Sequence, residues 1–593
     1  MNAEVSIFKG ISVSNGVAIG KAYLLDRSKV CVLKRKIPSD EINHEIKRFR
    51  EAIQKSKAQM NEVKSRAGKI ADKYAVILDT YILLLDDDVL VNDTIENIRR
   101  DEMNAEWALT MTLAKFTKLF DNISDDYLKG KRDDLDLVVH RVIRNLLGHS
   151  QESLSEIQEP VVIVTHVLSP SDTLIMSKSK ILGLVTEVGG KTSHVGIFAS
   201  ALGLPAIVGV KDLTSHINTG DTIIVDAIDG IVLVNPDAKR LEQYRKKQQN
   251  YTHYENKLLE GIDLKTVTRD GHHVQLMGNI ESTHEIRSVQ KFGGQGIGLY
   301  RTEIHYLGNS LPTESELFDN FKKVVEAMDP YPVVIRTLDL GGDKMLRDVD
   351  RGAEANPALG LRGIRMSLSY PQIFISQLKA ILRASLYGKV KILYPMISFT
   401  DEIIEANNFL ESAKNELRKN QVPFDEKIQI GAMIETPASA VCVDQILDLV
   451  DFISIGTNDL IQYVLAVDRT NENVAHLYQP FHPSILRFLK DVFRAANAAG
   501  KPVCICGELG GNPMATLLLL GLGKVDELSM DPHSIPKVKK IIRNISVTEA
   551  KDLADHVLKL SSTKEINRYI TAEMRRKFPS DFARNQTFEE KSN

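Results

Sequence analysis

Ser6–Leu25 alternates short apolar runs with Gly10, Gly16 and Gly20, a pattern that predicts strands and turns. From about Lys34 the period changes. Ile42, Ile46, Phe49 and Ile53 fall at helical spacing, and no Gly or Pro interrupts the chain between Pro38 and Gly68. Helical spacing returns around Tyr74–Val91, Glu106–Phe120 and Leu135–Leu147, so residues 34–148 are expected to form a helical module. After Pro160 come VVIVTHV, ILGLVTEVGG, PAIVGV and DTIIVDAIDGIVLVNP, short β-branched strands punctuated by Gly that predict a compact β/α domain. Because the first 33 residues are strand-rich too, the helical module reads as an insertion into one domain made of 1–33 and 149–236. Asp237–Glu260 is polar and free of Gly and Pro, which predicts a helical linker and hinge over 237–261.

From Ile262 onward, strand candidates alternate with helices: VQLMGNI, GIGLYRTE, VVIRTLDLGG, a stretch near LGLRGIR, VKILYPMI, IQIGAMIET, FISIGTNDL and VCICGEL. Eight such units predict a (β/α)8 TIM barrel over 262–576, followed by a peripheral tail, 577–593. The fold class is therefore multidomain α/β. Arg301, Arg336, Asp339, Glu435, Asn458, Asp459, Cys506 and Glu508 each follow an apolar strand, at the rim where such barrels carry their chemistry.

Composition narrows the setting. Over 593 residues, 75 Lys+Arg balance 78 Asp+Glu, which argues against a nucleic-acid binder. Four cysteines in so long a chain exclude a disulfide scaffold and fit a reducing compartment. The N-terminus lacks the pattern of a secretion signal, and acids break the most apolar windows, so no membrane insertion and a cytoplasmic location are expected. The helical module is polarised: Lys34–Lys69 carries 11 basic and 5 acidic residues, Asp72–Asp136 carries 8 and 16. That is either a solvated surface or a docking face for a basic partner, with Asp86, Asp87 and Asp88 as candidates.

Four constellations carry chemistry. In GGKTSHVGIFASALG, Thr192 and Ser193 are helix-capping types and His194 lies at the first turn of an amphipathic helix. Unpaired N–H groups there favour an anion and disfavour an imidazolium, leaving a neutral ring able to attack phosphorus. For a lone histidine such as His44, His140, His166 or His305, simple packing is the better reading. Arg301, Arg336 and Arg362, joined by Arg469, describe a site for a small, heavily anionic ligand. Glu435 and Asp459 either hold Mg²⁺ or simply neutralise the arginines. Cys506 at a strand exit is placed to donate a proton, whereas Cys31, Cys442 and Cys504 fit inert thiols.

Together, GGKTSH…GLYRTE…RTLDLGGDK…NPALGLRGIR…IETP…GTNDLIQYVLAVDR…CGE resembles enzyme I of the phosphoenolpyruvate:sugar phosphotransferase system, over essentially the whole chain. The resemblance implies that His194 takes a phosphoryl group from phosphoenolpyruvate and passes it to a histidine of the small carrier HPr, which docks on the helical insertion. It implies a Mg²⁺-dependent homodimer assembled through the barrel. Thr192 would position the His194 ring. Arg301, Arg336 and Arg469 would grip the phosphate, with Arg362 at the same rim and Lys344 lining the site. Asn458 would bind the carboxylate region, Glu435 and Asp459 would hold Mg²⁺, and Cys506 would protonate the enolate. The chain departs from the family at Ser200, where an arginine is usual six residues after the histidine, and at Leu307-Gly308-Asn309, where the family is more polar. A dikinase or phosphoenolpyruvate synthase would need a nucleotide domain that the roughly 30 residues ahead of the helical insertion cannot hold. A regulatory relative that senses phosphoenolpyruvate is the remaining alternative.

Overall fold

The computed structural model describes residues 6–25, 32–67, 81–121, 126–148, 157, 159–168, 180–189, 196, 199, 203–306, 310–341, 356–469, 471 and 473–582. They fall into two compact units, Met1–Glu255 and Asn256–Asn593. No described helix is long and apolar enough to cross a membrane.

The first unit contains an eight-stranded sheet: β1 (Ser6–Lys9), β2 (Ile11–Ser14), β3 (Val17–Leu25), β4 (Val161–Thr165), β5 (Ile181–Thr186), β6 (Ala206–Val208), β7 (Thr222–Asp226) and β8 (Ile231–Val234), in the order β1-β8-β7-β3-β4-β5-β6-β2. β3 pairs in parallel with β4, Lys21 opposite Val161 through Leu25 opposite Thr165, so the sheet closes across the helical segment between them. That segment holds helices Ile42–Ala67, Asp88–Asp101, Ala105–Asp121 and Asp126–Leu146. Ile46, Phe49 and Ile53 are buried along one stripe of the first, as their spacing requires.

Part of the module's charge polarity is consumed internally. Arg48 Nη2 lies 2.6 Å from Glu45 and 2.8 Å from Glu106, both buried, and Lys115 pairs with Asp93 at 2.6 Å. Lys57 pairs with Asp86, while Asp87 caps helix Asp88–Asp101 by accepting from the Val89 and Leu90 N–H groups. Of the three candidate docking acids, two therefore already have partners inside the module.

Helix Ala238–Leu259 is fastened to the sheet along its first half. Tyr244 is buried beside Val17, Ile224 and Leu233, Gln248 donates to the Val17 carbonyl at 2.8 Å, and Lys247 pairs with Asp226 and Asp229.

The second unit is a closed barrel of eight parallel strands: β9 (Gln275–Ile280), β10 (Ile297–Tyr300), β11 (Val333–Arg336), β12 (Val390–Tyr394), β13 (Gln429–Ile434), β14 (Phe452–Ile455), β15 (Val503–Ile505) and β16 (Glu527–Met530). Alternation along each strand sends one set of side chains out to the helices and another into the lumen. Leu299, Val334, Leu393, Met433, Phe452, Cys504 and Cys506 make the lumen cluster.

The strand count matches the sequence pattern, but one member differs. The stretch near LGLRGIR is not a strand: it makes a single bridge, Gly341 to Arg362, and enters helix Ile364–Ser369. Gly363 takes φ +60°, and a Cβ there would meet the Met396 Cβ at 2.7 Å, so the chain turns sharply onto its neighbour. The eighth strand is β16, ELSM, whose alternating Glu527 and Ser529 face the lumen and interrupt the apolar run that would have marked it. The tail also differs from its peripheral reading over 577–582. Phe578 is buried, and the nearly inaccessible Asp581 carboxylate lies 2.7 Å from Lys540. Residues 583–593 lie outside the described residues.

Glu549 ties the barrel's two sequence ends together. It caps helix Val547–Val557 through the Ser546 N–H (2.9 Å), pairs with Lys577 at 3.0 Å and pairs with Arg269 ahead of β9. The Arg269 hydrogen bond leads in lowering its pKa, against a smaller opposing effect of burial, to about 2. Its stabilisation is complete above the ordinary carboxylate range and is lost as pH falls toward 2. Glu549→Gln keeps a capping acceptor but loses the charge, so at pH 7 it should cost about 1 kcal/mol. Calorimetric Tm across a pH series should show the gap to the unaltered protein narrowing as pH drops from 5 to about 3; a pH-independent gap would assign the loss to packing.

Candidate active site

At the C-terminal mouth of the barrel, β11 delivers Arg336 and the loop behind it Asp339. Both are buried. Arg336 Nη1 lies 2.8 Å from Asp339 Oδ2, and its Nη2 lies 2.8 Å from Glu303 Oε1. Arg362 grips the same Asp339 with both arms, Nε at 3.1 Å and Nη2 at 3.0 Å, and reaches Asp459 Oδ2 at 3.3 Å and the Tyr463 hydroxyl at 3.3 Å. One carboxylate thus fixes two guanidinium groups. Burial opposes charge on both arginines, yet the carboxylates of Glu303, Asp339 and Glu435 around Arg336, and of Asp339 and Asp459 around Arg362, push both pKa values up. Asp339 is driven the other way: burial favours its neutral form, but Arg336 and Arg362 hold it below the ordinary carboxylate range.

Glu435 follows β13 and is fully buried. Its Oε1 accepts the Met396 N–H at 2.6 Å, a contact made possible by the left-handed backbone of Met396, φ 56°. Gly456 lets the chain pass close by, since a Cβ there would lie 2.7 Å from Glu435 Oε2. Burial, then Asp459 and Asp339, raise the Glu435 pKa to about 8 against the pull of Arg336 and Arg362. Asp459 stands in the first turn of helix Thr457–Leu465, directly after β14.

Asn458 and Glu508 clasp each other, Asn458 Nδ2 to Glu508 Oε1 at 3.2 Å and Glu508 N–H to Asn458 Oδ1 at 2.9 Å. Arg469 lies 3.8 Å from the same Glu508, and Arg301 lies 3.1 Å from Glu281 beyond β9. Cys506 is buried at the exit of β15, its thiol 3.6 Å from the Ile455 carbonyl. Burial comes first in raising its pKa to about 11, so the thiol keeps its proton at neutral pH.

The structure thus brings Arg336, Arg362, Glu435 and Asp459 together and sets Arg301, Asn458, Arg469 and Cys506 at the same barrel mouth. His194, Thr192 and Lys344 lie outside the described residues, as do Ser200 and Leu307-Gly308-Asn309. Acidic side chains outnumber the arginines at this mouth. Among the described residues four arginines face six carboxylates: Glu281, Glu303, Asp339, Glu435, Asp459 and Glu508. A divalent cation would restore balance. Glu435 and Asp459 fit one, since Asp459 disfavours the charged form of Glu435 and Mg²⁺ takes a few protein oxygens, leaving the rest to water and phosphate. Among the described residues no three His, Cys, Asp or Glu converge as a complete cation cage, so such a pair would need substrate oxygens.

Sequence reasoning missed the residues that hold these groups in place. Glu303 Oε1 accepts both Arg336 and the Asp339 N–H, the latter at 3.1 Å. The buried Gln377 donates to Thr302 at 3.0 Å and accepts from the Leu338 N–H at 3.0 Å, while Thr302 donates to the Arg336 carbonyl at 3.0 Å. Glu303 sits in the GLYRTE motif and was legible as a polar rim residue; Gln377, in mid-helix, carried no signal. His305, by contrast, packs as a core histidine: it bonds the Tyr300 hydroxyl at 2.8 Å, and burial lowers its pKa to about 4.

Three family profiles match the chain: PEP-utilising enzyme, N-terminal, over 9–131; PEP-utilising enzyme, mobile domain, over 157–230; and PEP-utilising enzyme, PEP-binding domain, over 256–547. Among curated proteins, the phosphoenolpyruvate-protein phosphotransferase of Haemophilus influenzae is 41% identical over 566 residues, covering 95% of this chain and 98% of the relative. The protein of the same name from Bacillus subtilis is 42% identical over 564 residues, again 95% and 98%, and that from Priestia megaterium 41% over 564.

The Glu303 contacts generate a test in which geometry and charge predict opposite signs. Glu303→Ala frees Arg336, and phosphoenolpyruvate binding by titration calorimetry should weaken about tenfold, ~1.4 kcal/mol. Glu303→Gln retains an oxygen acceptor and should stay within about threefold of the unaltered protein. Tighter binding in both variants would show that net charge, and not the position of Arg336, governs the site.

Proposed function

The chain belongs to the family of phosphoenolpyruvate-protein phosphotransferases, and from that premise we propose how its residues divide the work. The enzyme transfers the phosphoryl group of phosphoenolpyruvate to protein. In our reading the substrate phosphate lies among Arg301, Arg336 and Arg469, with Arg362 and Lys344 at its edge and its carboxylate region near Asn458. Glu435 and Asp459 hold Mg²⁺, which supplies charge neutralisation at the phosphate when bound.

A ring nitrogen of His194, steadied by Thr192, attacks phosphorus. The bond from phosphorus to the enol oxygen breaks, and its electron pair stays with that oxygen. The enolate carbon then takes the Cys506 thiol proton, giving pyruvate and a thiolate that is reprotonated from water. Phosphoryl transfer asks mainly for positioning and charge compensation, and enol release makes the donor strong. In the second half-reaction a histidine of the carrier HPr, docked on the helical segment, attacks phospho-His194 and the phosphorus–nitrogen bond breaks. We place the enzyme in the cytoplasm, working as a homodimer joined through the barrel. The observation that carries this reading is the convergence of Arg336 and Arg362 on Asp339 beside the Glu435–Asp459 pair.

His194→Ala should lose all acid-labile phosphate after incubation with phosphoenolpyruvate and Mg²⁺, while the barrel binds phosphoenolpyruvate within about twofold of normal. Label persisting in that variant would assign the wrong histidine. Chelation should abolish labelling, and Asp459→Asn should raise the Mg²⁺ concentration for half-maximal labelling by about tenfold or more. An unchanged requirement would remove Asp459 from the metal.

A further inference from the structure

The barrel has a second concave site, at the end opposite the mouth. The N-terminal ends of β9, β11, β12 and β13 border an open concavity of about 540 Å³, lined among others by Gln275, Tyr331, Lys389, Lys391, Asp425 and Lys427. Strand alternation shows what forms its floor. On β12 the outward residues Val390, Ile392 and Tyr394 join the core beneath the helices, while Leu393 belongs to the lumen cluster, so Lys391 points into the lumen. Its ammonium lies 5.0 Å from the centre of the Phe452 ring and 3.4 Å from Glu527. A lysine turned into a barrel costs hydration, and here one carboxylate and one aromatic face recover part of it.

The rim adds charge. Lys389 and Lys427 are exposed and have no carboxylate partner among the described residues, and Asp425 turns one oxygen to the Lys427 N–H at 2.9 Å. With Glu527 beneath Lys391 and Asp425 at the rim, three ammonium groups meet two carboxylates, in a concavity where the excess like charge repels unless an anion intervenes. Tyr331, 44% exposed, supplies an apolar wall.

We infer that this floor is a binding site for a compact organic or inorganic anion carrying at least two negative groups, held by Lys389 and Lys427 at the rim and Lys391 below. The site shares no residue with the mouth. The packed lumen column from Phe452 through Cys504 to Cys506 separates the two.

The test is titration calorimetry of the full chain in Mg²⁺-free buffer, with pyrophosphate as the phosphate probe and citrate as the carboxylate probe. At least one probe should bind the unaltered protein. Both rim lysines are exposed, so Lys389→Ala with Lys427→Ala should fold normally and bind that probe at least about tenfold more weakly. Arg301→Ala at the mouth should leave it unchanged. Whichever probe binds identifies the anion's chemistry. Failure of both probes, loss in Arg301→Ala, or binding indifferent to the double substitution would each overturn the assignment.

Discussion

Two guanidinium groups buried at the end of a parallel barrel impose the constraint on which the rest of the site depends. Arg336 and Arg362 are removed from bulk water, and that is tolerable only because Asp339 takes a hydrogen-bonded ion pair from each. Asp339 in turn keeps its charge only because both arginines are there. The three groups are therefore one unit. Its edges are pinned by Glu303 on one side and by Asp459 and Tyr463 on the other, so the arginine donors are positioned before any ligand arrives.

The same packing leaves the mouth with more carboxylates than arginines, and Glu435 bears the consequence through a pKa raised to about 8 by burial and its acidic neighbours. In the proposed mechanism a divalent cation and an anionic substrate would resolve this as a pair better than either alone. Nearby, the buried Cys506 thiol holds its proton beyond the neutral range, the state an acid needs before it gives that proton to carbon. In the proposed mechanism, binding, charge compensation and protonation would all be supplied by elements that follow strands of one barrel.

Much of this was legible in the chain because strand ends in such barrels are written as an apolar run followed by a polar residue. Arg336, Glu435 and Asp459 all show that signature, and all stand at the mouth. The pattern failed where lumen-facing residues broke it: Glu527 and Ser529 hid β16, and LGLRGIR imitated a strand although Gly363 turns the chain over Met396. Partnership was not legible at all. No spacing rule reveals that Asp339 serves two arginines, that Glu303 accepts both Arg336 and a backbone amide, or that Gln377 ties Thr302 to Leu338 from a separate helix. Nor did net charge along the sequence reveal that Arg48, Glu45 and Glu106 spend their charges on one another inside the helical module.

The interdependence of Asp339 and Arg362 is the claim most open to direct measurement, by a double-mutant cycle on phosphoenolpyruvate affinity using Asp339→Asn, Arg362→Lys and the pair. If the carboxylate acts by holding the guanidinium, the second substitution should cost little once the first is made, with a coupling of at least about 1 kcal/mol. Costs that add to within about 0.5 kcal/mol would mean that the two residues contribute independently, and would contradict the account.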